Sequence, residues 1–282
     1  MEKIDLSHTT FIIPVRLDSR DREFNLNAIL IHLTKNLKTN IFIKESDDKS
    51  RVLDLIRNSF PETIGNIWID YDGLIKGTIE DCTLTYIFEE NKENIFHRTR
   101  LLNEMLWQVK TPVVVNYDCD VLFLPEAYKE AQDRILSGSD LVYPFANGIS
   151  QIKVEVEDRP FLNDLRHLIA VAPEKNRTWQ AQFGHAMFFN TQSYKDGGGE
   201  NENYFSYGPE DICRGHRFQK LGYKVEWLNH WVFHIEHSRG FNSSTANPSF
   251  KANDDLYREL MYLTPEQTRE YYTNAEYLKK YR

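Results

Sequence analysis

The 282-residue chain carries 34 Lys and Arg against 42 Asp and Glu, a formal net charge of −8. That acidic balance, without a long Lys/Arg run, excludes the electrostatic footprint of a nucleic-acid binder, so no nucleic-acid partner is expected. Hydrophobic residues at 41% and charged ones at 27% describe an ordinary globular chain, long enough for one large domain or one domain with a tail.

Short apolar runs alternate with helical patterns through the first half. Phe11-Ile12-Ile13-Pro14-Val15 reads as a strand, and about 21–37 as an amphipathic helix. Ile41-Phe42-Ile43 is the next strand, followed by a helix over about 50–60. Ile67-Trp68-Ile69 and Tyr86-Ile87-Phe88 are further strands, and 98–109 is helical. Pro112-Val113-Val114-Val115 is a β-branched run of the kind buried in a parallel sheet. This alternation predicts an α/β fold with a mostly parallel central sheet flanked by helices. Ligands in such folds sit beyond the carboxyl ends of the strands, so the polar residues there are the candidates for a site.

Beyond Asp120 a helix is expected over 125–136, then strands near 141–145 and 152–156. After a polar stretch come a strand at Ala186-Met187-Phe188-Phe189, a Gly-rich loop at 197–199 and a helix over 209–221. Strands near 224–228 and 231–233 lead into His234-Ile235-Glu236-His237. Residues 238–253 are rich in Ser, Asn, Gly and Pro and read as a mobile loop, and the Tyr-rich end reads as helical. Cys82, Cys119 and Cys213 form no CxxC pair, which points to a reducing compartment rather than to a disulfide framework. The opening residues hold no apolar signal segment, and no stretch approaches a membrane span, so no integral membrane segment is expected.

Three short segments carry chemistry. An apolar strand ending in Asp118-Cys119-Asp120 sets two carboxylates at the ligand-binding edge of the sheet, where hard oxygen ligands suit Mg²⁺ or Mn²⁺ and hence a diphosphate. A polar turn is the plainer reading of such a triplet. The same pattern also resembles the nucleophile motif of haloacid-dehalogenase-like phosphatases, which in that family lies near the N-terminus. Tyr207-Gly208-Pro209-Glu210-Asp211 reads either as an ordinary helix start with acids in its first turn or as a carboxylate projecting into a cleft as general base. Nearby Tyr204, Phe205 and Tyr207 are then a sugar-stacking wall or simply core. His234 and His237 would face opposite ways on a regular strand, so joint metal binding needs the strand to end and turn between them.

Taken in order, these segments resemble the β-1,4-galactosyltransferase family and its bacterial relatives, which have the GT-A fold, Rossmann-like in its central sheet. The motifs are Phe11–Arg16, Phe96-His97-Arg98-Thr99-Arg100-Leu101-Leu102-Asn103, the Asp118–Asp120 triplet, Phe183-Gly184-His185, Tyr207–Asp211 and His234-Ile235-Glu236-His237-Ser238-Arg239, together spanning about residues 10–240. The resemblance implies a catalytic domain over 1–240 and a mobile loop with a helical tail over 241–282. It implies an inverting enzyme that moves a hexose or N-acetylhexosamine, galactose first, from a UDP-sugar to a carbohydrate acceptor. Asp120, His237 and His234 would hold Mn²⁺ or Mg²⁺, and Asp211 would be the base beside Glu210. Arg16, Arg98, Asp118, Gly184 and Tyr207 would line the donor site. Three departures from the family pattern are His234 for Met, Pro209 for Gly, and Gln182 with His185 at positions that tune sugar choice. The membrane anchor and disulfides of the family's animal members are absent here, which suggests a cytoplasmic enzyme building a surface polysaccharide, and the family implies an acceptor on a lipid carrier with the enzyme peripheral at the inner membrane face. A non-catalytic glycan-binding relative is the alternative from another functional class.

Overall fold

A computed structural model describes residues 2–61, 68–69, 74–93, 95–148, 150–171, 177–178 and 183–282. Ile67 and Gln182 lie outside the described residues.

The first strand outruns its apolar signal. β1 (Ile4–Val15) begins with buried Leu6 between exposed Asp5, Ser7 and His8, and only from Thr9 onward is it continuously buried. Helix α1 (Arg20–Asn36) starts where the Ser19 hydroxyl accepts the Arg22 amide at 3.3 Å, a side-chain cap that satisfies one of the free N–H groups of the first turn. Next come β2 (Leu37–Asp47), α2 (Val52–Ser59), β3 (Trp68–Ile69), β4 (Ile75–Ile79) and β5 (Cys82–Glu90). The chain continues through α3 (Arg98–Leu106), β6 (Val113–Tyr117), β7 (Val121–Leu122), α4 (Pro125–Leu136), β8 (Leu141–Tyr143) and β9 (Gln151–Val154). The polar stretch that follows holds a 3₁₀ segment and α5 (Leu165–Val171). After it come β10 (Arg177–Thr178), β11 (Ala186–Asn190), α6 (Thr191–Asp196), α7 (Glu210–Lys220), β12 (Val225–Trp227), β13 (Val232–Ile235), α8 (Phe250–Tyr262) and α9 (Pro265–Thr273).

Among the described residues, nine strands form the main sheet in the order β12-β8-β11-β6-β1-β2-β5-β4-β3. Its centre, β6-β1-β2-β5, is parallel throughout, as the buried apolar runs predict, and antiparallel pairings flank that centre on both sides. Val113, Val114 and Val115 are fully buried; each stabilises the sheet by roughly 1.5–3 kcal/mol relative to exposure. A second sheet, ordered β10-β9-β13-β7, packs beyond the end of β6 and contributes β13 to the site.

The C-terminal helices seat on α7 through Tyr204, Cys213 and Leu260, and the Lys220 ammonium donates to the carbonyls of Leu260 and Met261. Helix α8 starts at Phe250, inside the segment expected to be loop. The polar side chains that gave the loop signal are spent on hydrogen bonds instead: Asn253 donates to the carbonyls of Phe205 and Tyr207, and Asn247 to Ser206 Oγ. Among the described residues no helix is long and apolar enough to cross a membrane, and all three cysteines are free and buried.

Candidate active site

A cleft of about 760 Å³ opens at the carboxyl ends of β1 and β6, within the usual size range of small-molecule sites. Of the ten residues given metal, catalytic or donor-site roles from the sequence, all except Gly184 line it, and Gly184 sits in its wall against Asp211.

Sheet pairing sets the first group. Strand β6 ends at Tyr117, the Asp118 amide extends its pairing with β11 by donating to the His185 carbonyl at 2.9 Å, and both aspartates line the cleft. Strand β13 ends at Ile235, whose amide donates to the Asp120 carbonyl at 2.8 Å. Because the strand stops there, His237 swings back to the side of His234, and the two rings lie 5.8 Å apart. His237 Nε2 is 3.0 Å from Asp120 Oδ2, and His234 Nε2 is 3.9 Å from it. One donor atom from each of the three residues lies within 4.8 Å of the others.

The far nitrogens of both rings are also spoken for. His234 Nδ1 is 2.9 Å from Glu236 Oε1, and His237 Nδ1 is 2.8 Å from the Ser238 carbonyl. A carbonyl oxygen only accepts, so His237 Nδ1 carries a proton. A neutral His237 then aims the lone pair of Nε2 at a carboxylate, an arrangement that needs a positive charge between them or on the ring. Asp120 is held below the usual carboxylate range: burial raises it, but the two histidines and Arg22 outweigh that. One carboxylate and two imidazoles with their outer nitrogens anchored is the donor set of a divalent-metal site, and the residues fit one.

The second group surrounds Arg98, the first residue of α3. Its guanidinium reaches Asp118 Oδ1 at 2.6 Å, Asn116 Oδ1 at 3.1 Å and Asp211 Oδ1 at 3.4 Å. Arg214, one turn beyond Asp211 on α7, donates to the same Asp211 oxygen at 2.8 Å. Burial raises the Asp211 carboxyl, and Arg98 and Arg214 more than offset it, so the group sits below its ordinary value. Asp211 is therefore ionised at neutral pH. A Cβ on Gly184, which holds φ +84°, would stand 2.9 Å from Asp211 Oδ2, so only glycine leaves the backbone this close to the carboxylate.

Glu210 behaves oppositely. Its Oε2 is buried without a hydrogen-bond partner among the described residues. Burial, then the Asp211 charge, push its carboxyl up to about 8. Two adjacent carboxylates with separated proton affinities, one charged and one neutral, is an arrangement suited to acid–base work. It also has a stability consequence. The folded protein holds the Glu210 proton more tightly than the unfolded chain, so this group's contribution falls as pH rises from about 4.5 to about 8. Glu210→Gln mimics the neutral acid, and its stability is expected to fall less than the wild type's across that window, by on the order of 3 kcal/mol. Denaturant melts of both proteins at pH 5 and pH 8 check this; equal losses would place the Glu210 proton affinity near that of an ordinary carboxylic acid.

The remaining expected residues divide. Arg16 lines the cleft with one guanidinium nitrogen on the Glu93 carbonyl at 2.7 Å. Tyr207 also lines it and stacks on Phe250, ring centroids 5.8 Å apart. The aromatic wall is smaller than expected: Tyr204 is 1% exposed and belongs to the α7–α8 core, while Phe205 turns to a separate groove against His97. His185 faces the cleft at φ +60°, with burial pushing its ring down to about 4, so it is neutral. Sequence reasoning missed Arg214, Glu236 and Lys153. The first lies at i+3 from Asp211, a spacing that could have drawn attention. Lys153 enters only because β9 pairs with β13 in the register that sets it beside His234.

No protein-family model matches the chain, and no curated protein matches it in sequence. Solved structures do match in shape. A mannosyltransferase from Pyrobaculum calidifontis, in complex with GDP-mannose and Mn²⁺, superposes with a TM-score of 0.53 at 17% identity, covering 95% of this chain and 70% of its own. A Drosophila β-1,4-galactosyltransferase 7 variant, in complex with manganese, UDP-galactose and xylobiose, gives 0.49 at 14% identity, covering 89% of this chain and 79% of its own. The likeness to the first, with the mixed sheet and its flanking helices, shows that the chain has the GT-A fold of glycosyltransferases.

Proposed function

We propose that the chain is an inverting, metal-dependent glycosyltransferase that moves a hexose or N-acetylhexosamine, galactose first, from a UDP-sugar to a carbohydrate acceptor. Residues 1–240 form its catalytic domain in this reading, and surface polysaccharide synthesis with a lipid-linked acceptor is its setting. The observation that carries the proposal is the convergence of Asp120, His234 and His237 in the same cleft as Asp211.

Asp120, His237 and His234 hold the cation, and two imidazoles in the set favour Mn²⁺ over Mg²⁺. A metal held there would supply Lewis-acid neutralisation of the charge that grows on the departing nucleoside diphosphate. Asp211 accepts the proton of the acceptor hydroxyl as that oxygen bonds to the anomeric carbon. The bond from that carbon to the diphosphate oxygen breaks, and its electron pair leaves with UDP. Neutral Glu210 donates a hydrogen bond to a sugar hydroxyl, Arg98 keeps Asp118 oriented toward the donor, and Arg16 seats the nucleotide. The segment after His237 closes over the bound donor, excluding water that would otherwise hydrolyse it. A phosphatase would need Asp118 as a free nucleophile, and its pairing with Arg98 at 2.6 Å argues against that.

The test is a panel of UDP- and GDP-sugars scored for nucleotide release with Mn²⁺, with Mg²⁺ and with chelator. Metal-dependent release from one UDP-sugar, stimulated by a saccharide acceptor, supports the proposal. Release of phosphate from simple phosphomonoesters, or no release from any donor, sinks it.

A further inference from the structure

Behind Asp211 lies a buried ion pair with no part in the chemistry above. Arg214 grips both carboxylate oxygens of Glu200, Nε to Oε1 and Nη2 to Oε2, each at 2.6 Å. Both side chains are 2% exposed. The third arm, Nη1, donates to Asp211 Oδ1 at 2.8 Å.

Glu200 is itself fixed on several sides. Its amide donates to Asn103 Oδ1 at 2.7 Å, and its carbonyl accepts from Asn103 Nδ2 at 3.0 Å. The Tyr194 hydroxyl donates to Oε1. Gly199, at φ +56°, lets the loop press against α3: a Cβ there would stand 2.5 Å from Asn103 Oδ1 and 2.7 Å from the Trp107 ring. The Gly-rich loop therefore delivers one carboxylate into the interior behind the cleft.

From this geometry we infer that Glu200 and Arg214 form a positioning unit that holds Asp211 by Oδ1 and leaves Oδ2 free for the acceptor hydroxyl. The inference rests on the glycosyltransferase reading of the cleft. A guanidinium is planar, so a carboxylate that takes two of its arms dictates the direction of the third. On the other side a Cβ at Gly184 would stand 2.9 Å from Oδ2, so the glycine leaves that oxygen uncovered. Asp211 thus has its rotamer set through Oδ1, and a misplacement of about 1 Å in such a group costs on the order of 100-fold in rate. A plain staple between α7 and the loop would not need this pair, because well-packed apolar residues of similar volume often stabilise at least as well.

Arg214→Lys keeps the charge and loses the fork, Glu200→Gln keeps the shape and loses the charge, and the double variant Glu200→Gln/Arg214→Met removes the pair. For each, the melting temperature, Kd for UDP with Mn²⁺, kcat against pH and the ¹³C NMR titration of the Asp211 carboxyl are measured. Arg214→Lys is expected to lose about 10–100-fold in kcat with UDP affinity within about twofold of wild type. In the double variant the Asp211 midpoint rises, because one adjacent cation is gone, and the acid limb of kcat follows it. A kcat for Arg214→Lys within about twofold of wild type overturns the inference. So does an Asp211 midpoint that stays put while the melting temperature falls. If the double variant does not fold, Glu200→Gln and Arg214→Lys carry the same readouts. If the wild type transfers no sugar, the reading of the cleft fails, and the NMR titration alone decides whether Arg214 holds Asp211.

Discussion

Asp211→Asn is expected to lower kcat by 10²–10⁴-fold, about 3–5 kcal/mol, while UDP affinity in the presence of Mn²⁺ stays within about twofold of wild type. The two observables separate because of where the residue sits. Asp211 is at the second position of α7, on the side of the cleft that holds Arg98, whereas the Asp120–His237 contact is built from the turn between β6 and β7 and the segment just after β13. The fold should survive the change. Arg98 retains Asp118 at 2.6 Å and Arg214 retains both oxygens of Glu200, so neither guanidinium is left buried and unpaired. The competing account treats Asp211 as an acid that merely favours the helix N-terminus. Such a charge is worth about 0.3–1 kcal/mol, well short of the rate effect expected of a base. Single-turnover kinetics and calorimetric UDP binding on the same preparation decide between them. Loss of UDP binding together with rate would assign the carboxylate to structure.

The sequence made the centre of the fold legible because parallel strands buried on both faces read as unbroken apolar runs. Val113–Val115 and Phe11–Val15 are examples, and helix α4 lies where its Pro125 start and Leu136 end predict. The edge was harder to read. Strand β4, Ile-Lys-Gly-Thr-Ile, is half-exposed and carries a glycine, and it owes its pairing to β5 rather than to any run of its own. Short α6 likewise has only the Asn190 cap to announce it. In the site, motif residues at strand ends were readable because the fold class places ligands there. The dependence of His234 and His237 on a strand end was readable too, since period-two geometry forces it. Long-range partners were not. Glu200 joins Arg214 only through the folding of the Gly-rich loop onto Asn103, and nothing in the local pattern distinguishes it from Glu202, whose carboxylate holds Asn103, Lys280 and Tyr281 instead. The Tyr204–Phe205–Tyr207 run failed as a continuous wall for a physical reason: packing under α8 claims Tyr204 for the core.

His237→Ala is the change expected to have the largest effect on binding. Removing an outer-shell partner of a metal ligand costs 10–100-fold in metal affinity, and removing a ligand itself costs more. His237→Ala is therefore expected to weaken Mn²⁺ binding by more than about 100-fold, with UDP affinity falling in parallel, since each stabilises the other in a shared site. Glu236→Gln provides the scale. Its carboxylate touches His234 Nδ1 at 2.9 Å and no metal-facing atom, so its loss belongs in the 10–100-fold band. Electron paramagnetic resonance titration of free Mn²⁺, with and without UDP, reads both variants. The order of the two effects is informative. Glu236 reaches the metal site only through His234 Nδ1, so its loss should cost less than the loss of His237, a ligand itself. Unaltered Mn²⁺ affinity in His237→Ala would mean that its short contact with Asp120 is an ion pair closing the end of β13, and the coordination assigned to the cleft would have to be abandoned.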